Sequence, residues 1–218
     1  MHPDRLVELY PIVYHMAEAG TWDSIRKRGL MSASATLDHF KVTGTARAEL
    51  EGGHRPAKTN VTPGNPAAIV LRDQIPMPPE RLLRALGDRT TPETWYRLIN
   101  GKVFFWAQHH RLERLLNARQ YRHLEHDVLS IDTRRLVAAH GENMWLCHMN
   151  SGNTFPMPFP RGPEIFRRIP DYPVNRKNNP KPHVVEVLVD YAVSDIAELV
   201  TEVRRMRGSD VLHNIVRR

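Results

Sequence analysis

The order of apolar and polar positions along the chain predicts short strands and helices in irregular alternation. Strands are predicted where β-branched and aromatic residues cluster, at 11–15, 67–72, 102–106, 127–131, 145–149 and 183–189. Helices are predicted where apolar residues recur every three or four positions, at 17–28, 79–86, 91–100, 111–119, 133–140 and 196–207. Because the two kinds of element do not alternate strictly, we expect one α+β domain over residues 1–218.

Seventeen prolines divide these elements, and most of them fall in four segments, at 56–66, 76–79, 156–163 and 170–182. Proline lacks a backbone donor and restrains the residue before it, so these segments are predicted to be loops. Long ordered loops in a small domain are often functional. Two helix ends are also marked, since Gly29 is placed as a C-cap and Thr91 as an N-cap.

The charge balance favours anionic partners. Lys and Arg number 31 against 24 Asp and Glu, for a formal charge of +7, which suits polyanions or phosphate-bearing ligands. The one cysteine, Cys147, rules out an internal disulfide and an all-cysteine zinc site. No apolar run is long enough for a membrane helix and no signal peptide is visible, so we expect a cytoplasmic protein without a membrane partner. We also expect no metal, because HExxH and paired cysteines are absent.

Glu186 stands out because it lies inside the most apolar predicted strand, HVVEVLVDY. One interpretation is a strand with a solvated face on which the glutamate is exposed. The other is a carboxylate held rigidly at a cleft, where it hydrogen bonds or stabilises charge. An unpaired carboxylate is costly to bury, and the sequence leaves both interpretations open.

Two further features are compatible with a cleft. His15 ends the first predicted strand, where one ring nitrogen can be fixed while the other serves a ligand. The KVFFW strand points Phe104 and Trp106 to one face and Phe105 to the other, and an aromatic ring at a cleft can stack on a flat ligand. Ser151 lies in a turn-forming NSGN segment and lacks the context of a hydrolase nucleophile.

Three segments, in order, carry a resemblance to the ADP-ribosyltransferase fold. The first, formed by YHM at 14–16, WDSI at 22–25 and GL at 29–30, resembles the opening motif of the DarT-type DNA ADP-ribosyltransferase toxins and, more distantly, of the RNA 2′-phosphotransferases. VFFWA at 103–107 is similar to their aromatic strand, and VEVLV at 185–189 to the strand with the catalytic glutamate. The whole chain, including WYRLINGKVFFW and NSGNT, also resembles an uncharacterised bacterial family.

The ADP-ribosyltransferase resemblance implies two small packed β-sheets with flanking helices around a cleft for NAD, which is a substrate. It implies transfer of ADP-ribose to an acceptor such as a nucleic-acid base, with a histidine and an aromatic residue holding the nicotinamide ribose and ring. The late-strand glutamate stabilises the oxocarbenium ion that forms as nicotinamide leaves. The implied catalytic residues are Glu186 and Arg55. The implied NAD-binding residues are His15, Met16, Leu30, Arg72, Phe104, Phe105 and Trp106.

The chain departs from the pattern at two positions, where Met16 replaces a threonine and Phe105 a tyrosine. Arg55 and Arg72 are both candidates for the arginine that the family places upstream of the aromatic strand. Two alternatives stay open: a non-enzymatic nucleotide or nucleic-acid binding module on the same fold, and an RNA 2′-phosphotransferase-like enzyme, which needs basic residues gathered around the acceptor phosphate.

Overall fold

An antiparallel β-sheet forms the centre of the fold, with helices on both faces. A computed structural model describes residues 1–61 and 69–217, so the predictions for 62–66 (loop) and 67–68 (strand) lie outside the described residues. The strands of the described chain are β1 (Ile12–Glu18), β2 (Leu30–Met31), β3 (Thr59–Asn60), β4 (Val70–Leu71), β5 (Lys102–Trp106), β6 (Glu125–Asp132), β7 (Met144–Cys147), β8 (Phe166–Arg167), β9 (Glu186–Asp190), β10 (Ala192–Val193), β11 (Val200–Arg207) and β12 (Asp210–Arg217). The helices are α1 (Pro3–Leu9), α2 (Trp22–Arg28), α3 (Ala33–His39), α4 (Gly44–Gly52), α5 (Pro79–Leu86), α6 (Pro92–Asn100), α7 (His109–Leu116), α8 (Thr133–His140) and α9 (Ile196–Leu199).

The large sheet has the order β12-β11-β6-β1-β5-β9-β7-β8 within the described residues. Its neighbouring strands all pair antiparallel. Two short ladders, β10 with β2 and β3 with β4, lie apart from it. Antiparallel strands combined with helices in no strict alternation make this an α+β architecture, as the sequence predicts.

The sheet opens between β1 and β5. β1 pairs with β6 along all seven of its residues, and β5 pairs with β9 along all five of its own. In contrast, β1 and β5 are joined by a single pair, Tyr14 with Trp106. The prediction of two packed sheets is therefore wrong. The structure has two halves of one sheet that meet edge to edge, and β1 and β5 diverge beyond that junction.

Apolar clusters on both faces fix the two halves of the sheet. On one face, Val13, Phe105 and Leu129 are buried in the largest cluster. On the other face, Trp95 of α6 stacks on Phe166, with ring centroids 5.7 Å apart, and this contact secures α6 against the sheet. Burial of large aromatic side chains contributes much of the stability of such a core.

The C-terminal region differs most from its prediction. The helix expected over 196–207 is wrong beyond Leu199, because residues 200–207 form β11 and a further strand, β12, follows. Val200, Val203 and Met206 are buried at intervals of three, which imitates a helical face. In the strand, a register shift after Val200 lets it share one apolar cluster with Val203, whereas Met206 packs on the opposite face.

The first strand is also longer than predicted. It continues to Glu18, so His15 lies within the strand rather than at its end, and α2 begins only at Trp22. Gly29 follows α2 with φ 85°, and a Cβ atom there would lie 2.7 Å from Ser194 Cα, so the position requires glycine. The predicted bounds of α5, β5 and α8 are confirmed, as is the N-cap of α6 at Thr91.

Candidate active site

A cavity of about 380 Å³ opens where β1 and β5 diverge. Its volume falls within the range of small-molecule sites. The cavity is lined by all nine residues that the sequence selects, namely His15, Met16, Leu30, Arg55, Arg72, Phe104, Phe105, Trp106 and Glu186. The three resembling segments supply its central walls because β1, β5 and β9 are neighbours in the sheet.

Glu186 begins β9 and is 4% exposed, so its interpretation as a solvated strand residue is wrong. The Ser151 hydroxyl donates to Glu186 Oε2 at 2.7 Å, and the Ser151 N–H lies 3.2 Å from both carboxylate oxygens. These bonds fix the carboxylate at the cavity wall. They also supply part of the hydrogen bonding that a buried charge requires.

The turn that carries Ser151 is itself held by a buried arginine. Arg161 is 2% exposed, and its Nη1 donates to Ser151 O at 2.9 Å while its Nη2 donates to Asn153 O at 2.8 Å. Its Nε donates to Phe159 O at 3.2 Å. Ser151 and Arg161 thus form a support behind Glu186, one through direct contact and one through the backbone.

Burial raises the pKa of Glu186 to about 7, although the Ser151 bonds and the positive charge of Arg161 oppose the shift. A carboxyl group with this pKa is present in both protonation states near neutral pH. That property suits a residue that stabilises positive charge as an anion and exchanges a proton during turnover.

His15 bridges the gap between the diverging strands. Its Nδ1 lies 2.8 Å from Phe104 O, and a carbonyl oxygen can only accept, so Nδ1 carries the proton. Burial lowers the pKa of His15 to about 4, which keeps the ring neutral at pH 7. The Nε2 atom is then an acceptor on a side chain that lines the cavity, ready for a ligand hydroxyl.

The aromatic strand places Trp106 beside the carboxylate. Trp106 is the Cα partner of Glu186 on β9 and of Tyr14 on β1, so the three side chains share one face of the sheet. Phe104 and Trp106 are partly exposed, whereas Phe105 is 1% exposed and belongs to the core. Met16 and Leu30 are likewise buried in apolar clusters. Phe105, Met16 and Leu30 therefore shape the wall by packing.

The two candidate arginines differ in how fully the fold uses their hydrogen-bond donors. Arg55 is 7% exposed and donates to Arg72 O at 3.1 Å, to Asn100 Oδ1 at 2.8 Å and to Leu50 O. Burial lowers the pKa of Arg55 to about 10, so the guanidinium is still charged at neutral pH. Its guanidinium connects the end of α4 to α6, so its hydrogen-bonding groups are engaged within the fold.

Arg72 is held less tightly by its neighbours than Arg55 is. Its Nη1 lies 3.4 Å from His126 Nδ1 and 3.9 Å from Glu18 Oε2, and its guanidinium carbon lies 5.1 Å from the centre of the Tyr121 ring. Its Nη2 is buried, and none of the described residues accepts a hydrogen bond from it. The side chain as a whole is 24% exposed and lines the cavity, so an anionic ligand there can contact the guanidinium.

The sequence missed Ser151 and Arg161 as site residues. The NSGNT segment signals a turn, but nothing in it shows that the turn folds back onto a glutamate 35 positions later. Arg161 follows a proline-rich run and offers no pattern at all.

The described residues contain neither a metal-binding cluster nor a membrane-spanning helix. Across residues 1–61 and 69–217, no three His, Cys, Asp or Glu side chains converge on a point where they could hold a metal ion. The same part of the chain contains no helix with the length and apolar character needed to cross a membrane.

Comparison with known proteins gives a family but no activity. No curated protein matches the chain. The model of a family of unknown function, DUF7002, matches residues 11–200, a span that includes every cavity residue named above. Because this match covers most of the sequence, the chain belongs to the DUF7002 family.

Proposed function

We propose that the protein is an NAD-dependent ADP-ribosyltransferase that uses the cavity between β1 and β5. The observation that carries the proposal is the convergence of His15, the aromatic strand and Glu186 on one cavity. The resemblance requires those three segments to line a single cleft, and they occupy the neighbouring strands β1, β5 and β9. The buried, hydrogen-bonded carboxylate of Glu186 adds an independent chemical reason, because perturbed acids cluster at functional sites.

In the proposed reaction the bond between the nicotinamide nitrogen and ribose C1′ breaks, and its electron pair leaves with nicotinamide. Positive charge develops on the ribose, where the anionic Glu186 stabilises it. An acceptor nucleophile then bonds to C1′ and loses a proton, which Glu186 can take because its pKa lies near neutrality. His15 Nε2 accepts a hydrogen bond from a ribose hydroxyl, and Phe104 or Trp106 packs against the nicotinamide ring.

The phosphates of NAD are assigned to Arg72. Its side chain is 24% exposed and lines the cavity, whereas the guanidinium of the buried Arg55 is used by three oxygen atoms of the fold. Arginine suits a diphosphate because its donors match phosphate oxygens in direction. Arg55 then supports the site by fixing the backbone of Arg72 at the carbonyl oxygen.

The RNA 2′-phosphotransferase-like alternative fits less well. Three Lys or Arg side chains of the described chain line the cavity, and two of them, Lys102 and Arg55, are held by contacts within the fold. Lys102 Nζ lies 2.5 Å from Asp190 Oδ1 and 4.6 Å from the centre of the Trp145 ring. The Arg55 guanidinium binds three oxygen atoms of the fold. A site that holds an acceptor phosphate and the phosphates of a dinucleotide needs more free positive charge.

The experiment supplies NAD labelled in its adenylate part together with DNA, RNA or protein, and follows nicotinamide release and label transfer. The wild type should release nicotinamide, and Glu186→Gln should lower the rate by at least 100-fold, since the variant loses the charge that stabilises the ribose cation. Glu142→Gln, which changes an exposed glutamate, is the matched control and should retain the wild-type rate.

Two results would overturn the proposal or redirect it. Absence of turnover with every acceptor, together with no NAD binding in calorimetry, would overturn it. Tight binding of a nucleotide or nucleic acid that Glu186→Gln does not change, without any turnover, would instead establish the non-enzymatic binding module.

A further inference from the structure

The support behind Glu186 contains a buried positive charge that no carboxylate contacts. Arg161 is 2% exposed, and its side-chain bonds run to backbone carbonyl oxygens, of Phe159, Asn150, Ser151 and Asn153. No acidic side chain of the described residues lies within ion-pair distance of it. An isolated buried guanidinium is costly, so this arrangement requires a compensating partner.

Glu186 is that partner, and Ser151 lies between the two charges. On one side Ser151 gives its carbonyl oxygen to Arg161 Nη1 at 2.9 Å. On the other side its N–H and hydroxyl bind the Glu186 carboxylate. The positive charge therefore holds one end of the residue and the negative charge the other, and hydrogen bonds to ionised groups are stronger than those between neutral groups.

We propose that Arg161 is a positioning residue for Glu186: it holds the 150–153 turn so that the Ser151 N–H and hydroxyl keep the carboxylate in one orientation and favour its ionised form. The role of this clamp in turnover rests on the proposed function. The clamp itself is a property of the folded protein and does not depend on NAD.

Other ionisable groups around the carboxylate do not replace Arg161. Cys147 is the Cα partner of Glu186 on β7, and burial together with Glu186 raises the pKa of its thiol, which stays neutral. On the other side, Trp106 of β5 carries no charge. Arg161 is thus the ionised neighbour that acts on Glu186 from the elements packed against it.

A second arginine that binds the same loop provides a matched control. Arg81 of α5 donates to Thr154 O at 2.8 Å and to Pro156 O at 2.7 Å, and its guanidinium carbon lies 4.0 Å from the centre of the Phe155 ring. It secures the same loop through the same kind of contact, but it does not bond to Ser151. Its removal should loosen the loop without releasing the carboxylate.

The test is a carbon-13 NMR titration of the glutamate carboxyl groups, in which Glu186→Gln identifies the signal of Glu186. Ser151→Ala should raise the pKa of Glu186 by about one unit, since it removes the shortest bond to the ionised form. Arg161→Met should raise it by at least as much. Arg161→Lys retains the positive charge but loses the guanidinium that binds several carbonyl oxygens at once, so it should give an intermediate pKa. Arg81→Met should leave the pKa of Glu186 unchanged.

The proposal is overturned if Ser151→Ala, or a folded Arg161→Met, titrates like the wild type, or if Arg81→Met shifts the pKa as far as Arg161→Met does. Should Arg161→Met not fold, Ser151→Ala and Arg161→Lys decide the matter. In an active enzyme, kcat should fall in the Arg161 variants while KM stays near its value, and the acidic limb of the pH profile should move upward with the pKa. If the wild type lacks activity, the proposed function fails while the titration still decides the clamp.

Discussion

Replacement of Glu186 by glutamine should stabilise the protein at alkaline pH and have little effect at acidic pH. The carboxyl group is 4% exposed, and burial raises its pKa from 4.5 to about 7. In the unfolded chain the proton leaves near pH 4.5, whereas the folded protein keeps it until about pH 7. Between these values the folded state binds more protons, so the free energy of unfolding falls as the pH rises.

The size of the effect follows from the shift. A difference of about 2.5 pKa units corresponds to roughly 3 kcal/mol of unfolding free energy, which is lost in full only above about pH 7. Glutamine carries no such penalty, and its amide oxygen can still accept from Ser151. The stability difference between Glu186→Gln and wild type should therefore increase by about 2 to 3 kcal/mol from pH 5 to pH 8.

Denaturant unfolding at a series of pH values, followed by tryptophan fluorescence, measures this difference directly. Glu142→Gln, at an exposed glutamate, should show a flat difference across the same range. A flat profile for Glu186→Gln as well would refute the reasoning, because it would mean that the carboxyl group is not desolvated in the folded protein.

Three further predictions concern the residues around the cavity and the sheet. His15→Ala should weaken NAD binding about tenfold in calorimetry, since one acceptor bond is lost; unchanged affinity would remove His15 from the site. Arg55→Leu should lower the free energy of unfolding by about 3 kcal/mol or more in denaturant titrations, because it strands buried acceptors at Leu50 and Asn100; a loss below about 1 kcal/mol would contradict its bracing role. Asp127→Ala should lower the free energy of unfolding by about 2 to 4 kcal/mol in the same assay, because this fully buried carboxylate accepts from two backbone N–H groups and from Arg205 at 2.6 Å. An unchanged free energy of unfolding would show that these bonds add little.

The sequence predicts elements well where one face alone is buried or where the ends are marked. Helices α5 and α8 and strand β5 match their predicted bounds, and α6 starts after the expected N-cap at Thr91. The helix predicted for the C-terminal segment is wrong for a specific reason. In β11, the buried residues Val200, Val203 and Met206 are three positions apart, because the register shifts after Val200 and because the strand is buried on both faces. Apolar periodicity cannot distinguish this spacing from that of a helix.

The candidate site could be predicted only in part. A resemblance in three separate segments was enough to select residues that meet in one cavity. It could not show whether Glu186 is buried, because the polar positions of its strand fit both a solvated face and a cleft. Nor could it reveal Ser151 and Arg161, whose contacts are set by the return of a long loop to β9. Such contacts between residues distant in the sequence leave no local pattern.

The role proposed for Glu186 is to act on NAD in the cavity between β1 and β5. Its most direct test is the release of free nicotinamide from NAD, measured by chromatography for wild type, Glu186→Gln and Glu142→Gln under the same conditions. We expect release by the wild type and by Glu142→Gln, and at least a 100-fold slower release by a folded Glu186→Gln. Equal rates in the wild type and in Glu186→Gln would contradict it.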